Sequence, residues 1–217
     1  MVVTEIIQAL TKISNPANLE GMKRFGIDST NALDVVMPQV RKLAKSIKKD
    51  HGLALELWKT GIREARILAS LIDDPKLVTP QQMDAWVKDF HSWDLCDQVC
   101  GNLFDRTAFT MEKALLYTSH DEEFIKRAGF VLIAEFAVHN KKAGNEIFIT
   151  LLPVIESEAW DNRNFVKKAI NWALRQIGKR NQELRLAAIA SANRILLQNT
   201  KAAKWIATDA LKELSAK

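Results

Sequence analysis

The stretch Phe165-Val166-Lys167-Lys168-Ala169-Ile170-Asn171-Trp172-Ala173-Leu174-Arg175-Gln176-Ile177 decides the fold class. Phe165, Ala169, Trp172, Ala173, Gln176 and Ile177 recur at spacings of three and four, the period of a helix with one apolar stripe. The same pattern continues outward. Downstream it passes through Leu184, Ala187, Ala188, Ser191, Ile195 and Leu196; upstream it runs through Leu57, Trp58, Ile62, Ala65, Leu68, Ala69 and Ile72. Alternation with a period of two is rare, so strands are not expected.

Breakers and caps divide the chain. Asn15-Pro16 reads as a helix start, and Pro38 suits the first turn of another. Asp73-Asp74-Pro75 ends a helix, and Thr79 caps the next ahead of Pro80. Ser92 precedes a start at Trp93. His120-Asp121, Asn140 to Gly144, Asp161-Asn162 and Asn199-Thr200 punctuate the rest. About a dozen helices joined by short links result, which makes successive helices antiparallel neighbours. That number exceeds one bundle and predicts an all-α solenoid of stacked helical pairs, as one domain over residues 1–217. A compact irregular helical domain is the other arrangement this pattern allows.

Charge is unevenly spread. The net charge is +5, but residues 161–217 carry 12 lysines and arginines against 4 acids, and the first 160 residues are net negative. A positive field near the C-terminus favours a polyanionic partner over a merely solubilising surface. Cys96 and Cys100, four apart on a helix, make neither a disulfide nor a zinc or redox motif, which fits a reducing cytoplasm. No signal peptide is visible. The longest apolar run, Gly129 to Val138, is broken by Glu135 and too short for a bilayer. His51, His91, His120 and His139 show no ligand spacing, so no metal is expected, and all four read as surface or loop residues.

Four ordered blocks carry a resemblance. They are Leu57 to Ala69, Trp93-Asp94-Leu95-Cys96-Asp97, Phe124-Ile125-Lys126-Arg127-Ala128, and Asn164 to Arg175. In this order and spacing the chain resembles the HEAT-like-repeat DNA glycosylases of the AlkD type, from about Met37 to Arg194. The resemblance implies a C-shaped stack of HEAT-like repeats with a basic concave face. It also implies hydrolysis of the N-glycosidic bond of N3- or N7-alkylated purines in double-stranded DNA, without cofactor and without classical base flipping. A monomer and a cytoplasmic, nucleoid-associated place in a prokaryotic cell go with that reading. Matched by motif position, Asp97 would be the catalytic carboxylate, Trp93 and Trp172 the aromatic walls against sugar and backbone, and Arg127 the cationic group of the same cleft.

The chemistry is self-consistent. An alkylated purine already carries positive charge, so it leaves without a general acid, unlike the two-carboxylate arrangement of sugar hydrolases. Positive charge then grows on the sugar, where one fixed carboxylate and negative indole faces stabilise it. Phosphate contacts would come from Lys126, Lys167, Lys168, Arg175, Lys179, Arg180, Arg185 and Arg194. Each of these readings has a plainer counterpart. Trp58, Trp86, Trp160 and Trp205 are expected in the core, where aromatic residues are mostly found. Asp94 would serve the helix N-terminus, Arg127 could pair with Glu123, and Arg66 with Glu64 or Asp73 neighbours. A non-catalytic DNA-binding relative and a protein-interaction solenoid remain as alternative functions.

Overall fold

The structure, a computed structural model, describes residues 1–15 and 19–216, so the helix start expected at Asn15-Pro16 lies outside the described residues. Among the described residues there is no strand. The chain forms two compact units, Met1–Ala108 and Phe109–Lys217.

The first unit holds α1 (Val3–Lys12), α2 (Leu19–Arg24), α3 (Met37–Ile47), α4 (His51–Lys59), α5 (Arg63–Ile72), α6 (Pro80–Lys88), α7 (Trp93–Asn102) and a 3-10 turn, Phe104–Arg106. Its boundaries follow local chemistry. Pro38 sits in the first turn of α3, the Asp50 side chain caps α4 through the Leu53 amide, and the Thr79 hydroxyl accepts from the Gln82 amide. The apolar series from Leu57 to Ile72 crosses a real boundary: α4 ends at Lys59, and Gly61 turns the chain with φ +70° before α5. α3 packs on α5 and α5 on α7, so alternate helices form one row, with α4 against α5. At its core Trp58 and Trp86 stack with ring centroids 3.8 Å apart, and the Trp58 indole N–H donates to Asp89 at 2.7 Å.

The second unit holds α8 (Thr110–Thr118), α9 (Glu123–His139), α10 (Asn145–Glu158), α11 (Asn164–Gly178), α12 (Gln182–Leu197) and α13 (Lys201–Ser215). Asn181 caps α12 and Thr200 caps α13 through side-chain oxygens. Again alternate helices stack: α9 on α11, α11 on α13, and α10 on α12 behind them. This next-but-one packing is the arrangement of helical repeats and not of a bundle. Phe130, Phe148, Ile170 and Leu174 are fully buried in it. No helix among the described residues is long and apolar enough to cross a membrane.

Candidate DNA interface and active-site residues

In the first unit, the start of α7 is fixed by a buried charged cluster. Asp94, in the first turn, accepts from Arg63 Nε at 2.6 Å and also from its Nη2, while Ser92 Oγ donates to the other oxygen at 2.7 Å. Arg63 Nη1 reaches Glu64 at 2.8 Å, and Glu64 takes the backbone amides of Leu33 and Asp34 at 2.8 and 3.0 Å. The arginine is thus answered by two carboxylates, both buried, and α5, α7 and the preceding loop are locked together. Asp94 does serve the helix start, but mainly as the partner of Arg63.

Trp93 and Asp97 lie one turn apart on α7, and both stay half-buried while Leu95, Cys96, Val99 and Cys100 fill the core. The Trp93 indole N–H donates to the Phe25 carbonyl at 2.8 Å, which fixes the ring's orientation. The two cysteines are buried and not joined by a disulfide. Arg66 pairs with Asp89 at 3.0 Å and lies 5.0 Å over the Trp58 ring, so its partner is neither Glu64 nor Asp73. His51 Nδ1 donates to the buried Asp73 carboxylate at 2.6 Å, which makes it part of the packing and not a bare surface residue.

In the second unit, Arg127 is only 5% exposed, and its Nη1 donates to the Phe165 carbonyl at 2.5 Å. Glu123 accepts from the Phe165 amide at 3.3 Å, so the two residues grip the same first turn of α11. α11 buries Val166, Ala169, Ile170, Ala173, Leu174 and Ile177, and leaves Trp172 half-exposed beside exposed Lys168 and half-exposed Arg175. Lys168, Trp172 and Arg175 share one helix face, as their spacing predicts.

The expected phosphate-binding cations divide sharply. Lys126 is 3% exposed, pairs with Glu158 at 2.6 Å and Asp161 at 3.2 Å, and sits 4.7 Å over the Trp160 ring. It is a buried structural cation, which departs from the expectation of a solvent-facing one: its position on α9 turns it inward beside two acids. Arg180 likewise serves the fold. It donates to the Ala137 and Ala143 carbonyls at 2.5 and 3.1 Å and packs 4.0 Å over Phe148, and burial lowers its pKa. Arg175 and Lys179 both hold Glu213, and hydrogen bonding from Lys179 is the largest cause of that carboxyl's lowered pKa. Arg194 forks onto Glu156 at 2.9 and 2.6 Å. Lys167 lies 5.7 Å over Trp205. Exposed Lys168 and half-buried Arg185 form no ion pair among the described residues.

Two tryptophans depart from the core expectation. Trp58 and Trp86 are buried, but Trp160 is 55% and Trp205 40% exposed, each covered on one face by a lysine. An indole at helical spacing looks the same in sequence whether its ring faces the core or a lysine stem.

The fold and these residues define a protein built of stacked helical repeats that keeps an aspartate and tryptophans at its surface. Residues 6–214 match the family described as DNA alkylation repair enzyme, and the chain belongs to that family. No curated protein matches the sequence. A solved structure is similar over 98% of this chain and 95% of its own, with a TM-score of 0.78 and 19% identity. It is described as a member of a new family of proteins related to the HEAT-like repeat DNA glycosylases with affinity for branched DNA structures. The all-helical, HEAT-like repeat fold expected from the sequence is therefore the fold of this chain.

Proposed function

We propose that this protein is a monofunctional DNA glycosylase that hydrolyses the N-glycosidic bond of N3- or N7-alkylated purines in duplex DNA. Membership of the DNA alkylation repair enzyme family supports this. The observation that carries it is on α7. Asp97 is half-buried and lies one turn from the half-buried ring of Trp93 on the same helix, and Asp94, three residues before it, is held by Arg63. A core packing role would have buried the indole.

In this reading the bond between C1′ and the purine nitrogen breaks, and its electron pair leaves with the base and cancels the base's charge. The sugar becomes cation-like at C1′. Asp97 stabilises that charge at short range, and Trp93 and Trp172 pack against sugar and backbone. Water adds at C1′ and gives up a proton, to Asp97 or to solvent. Arg127 acts as a buried positive charge that also fixes the first turn of α11, not as an open ligand. Lys168 and Arg185 contact phosphates directly, and Lys167, Arg175, Lys179 and Arg194 add field through their pairs. The protein works as a monomer in the compartment that holds the DNA.

A second reading is a non-catalytic DNA-binding relative. The affinity of the similar solved protein for branched DNA favours it. One experiment separates the two. The protein is incubated with a duplex bearing 7-methylguanine, and released base is measured alongside binding to that duplex and to a four-way junction. Release above spontaneous loss supports the glycosylase. Binding without release supports the second reading.

A further inference from the structure

α3 carries a run of cations that the C-terminal charge excess does not include. Arg41, Lys42, Lys45, Lys48 and Lys49 fall within thirteen residues, Met37 to Lys49, that contain no acid. Arg41, Lys45, Lys48 and Lys49 line an open groove of about 460 Å³ whose apolar floor is Ala44 and Leu71. All four cations are exposed. Arg41 and Lys45, spaced i and i+4, share one face of α3, and Lys48 and Lys49 follow directly beyond its last residue, Ile47.

Little neutralises this charge. Lys49 donates to the carbonyls of Leu71 and Asp73 at 3.2 and 2.5 Å, so its ammonium is held by neutral groups. Its pKa is lowered, by burial first and then by the like charge of Arg106, with Asp73 and Asp74 opposing. Arg41 donates only weakly, at 3.4 Å, to the side chain of Gln98. That contact joins the groove to α7 at the residue after Asp97. Lys45 and Lys48 make no ion pair among the described residues. Lys48 also holds φ +68° and ψ −167°, a conformation that glycine adopts readily and a lysine does not.

We propose that this α3–α5 groove is a second DNA contact, binding consecutive phosphates of one strand of the duplex, with the deoxyribose edge against Ala44 and Leu71. One strand presents a charge about every 3.4 Å along the duplex axis, so a groove lined by four cations can meet consecutive phosphates of that strand. The inference rests on the DNA-binding half of the proposed function and not on its catalytic half.

The test is the salt dependence of binding to a labelled, undamaged duplex, measured by fluorescence anisotropy for the whole protein. Each phosphate contact contributes about 0.9 to the slope of log affinity against log salt, so Lys45→Ala/Lys48→Ala should lower the slope by nearly 2 and weaken binding at low salt. A control, Lys76→Ala/Lys88→Ala, removes two exposed lysines from the same unit outside the groove and should keep the wild-type slope. Base release by the Lys76→Ala/Lys88→Ala control should equal that of the wild type. A groove variant that keeps the wild-type slope, or a control that loses as much, overturns the proposal and leaves the glycosylase reading standing. Wild-type protein that binds duplex through the groove yet releases no base removes the catalytic reading and leaves the groove. Wild-type protein that binds no duplex overturns both.

Discussion

At the scale of single residues, the distinction between Asp94 and Asp97 organises the account. Asp94 is buried against Arg63, which Glu64 also holds, so removing the Asp94 charge leaves Arg63 with one carboxylate and weakens its remaining buried hydrogen bonds. Asp94→Asn should therefore cost roughly 1–3 kcal/mol of stability, read as a shift in urea midpoint with an unchanged m-value. A second acid, Asp161, sets a pH dependence. Burial would raise its pKa, but hydrogen bonds from the Arg163 side chain and backbone and from Lys126 bring it below its ordinary value. The stability it contributes is present above the unfolded carboxylate's pKa and is lost as pH falls through the lowered folded value. The wild type should lose this contribution below about pH 4, and Asp161→Asn should flatten the curve there when urea stability is titrated from pH 6 to pH 2.5. Equal slopes for both proteins would dissociate Asp161 from acid unfolding.

At the scale of elements, α8 and α9 approach so closely at Gly129 that a side chain has no room there. A Cβ on Gly129 would meet the Thr118 amide nitrogen at 2.6 Å and the Ala114 carbonyl oxygen at 2.9 Å, both backbone atoms of α8. Gly129→Ala should thus destabilise the second unit by about 1–3 kcal/mol despite alanine's better helix propensity, and a more stable variant would refute the packing described. Several helix boundaries were legible because their causes are local: Pro38 sits in a first turn, and Thr79 and Thr200 accept from amides within a turn. The break at Thr60-Gly61 was hidden because apolar periodicity carries on across it. The fates of Lys126, Arg180 and Arg194 were hidden for a different reason. Their partners, Glu158 and Asp161, the Ala137 and Ala143 carbonyls, and Glu156, are 32 to 43 residues away and meet them only through helix packing.

At the scale of the whole molecule, ordered motif blocks read farther than charge did. The blocks from Leu57 to Arg175 pointed to the family that residues 6–214 match. Charge summed over the first 160 residues came out negative and concealed the basic run on α3. Summed over residues 161–217 it overstated the supply of open cations, because Glu213 and Glu156 hold three of them. Arg63 holds Asp94 as part of the fold, and Asp97 is the acid to which the proposed function gives the chemistry. The decisive measurement is therefore single-turnover release of 7-methylguanine from a methylated duplex at saturating protein, for wild type and Asp97→Asn, with duplex binding recorded for both. The account predicts release well above spontaneous loss for the wild type, a drop of about 100-fold or more in the variant, and matching binding curves. Equal release by the two proteins, or none from a wild type bound to the duplex, would contradict it.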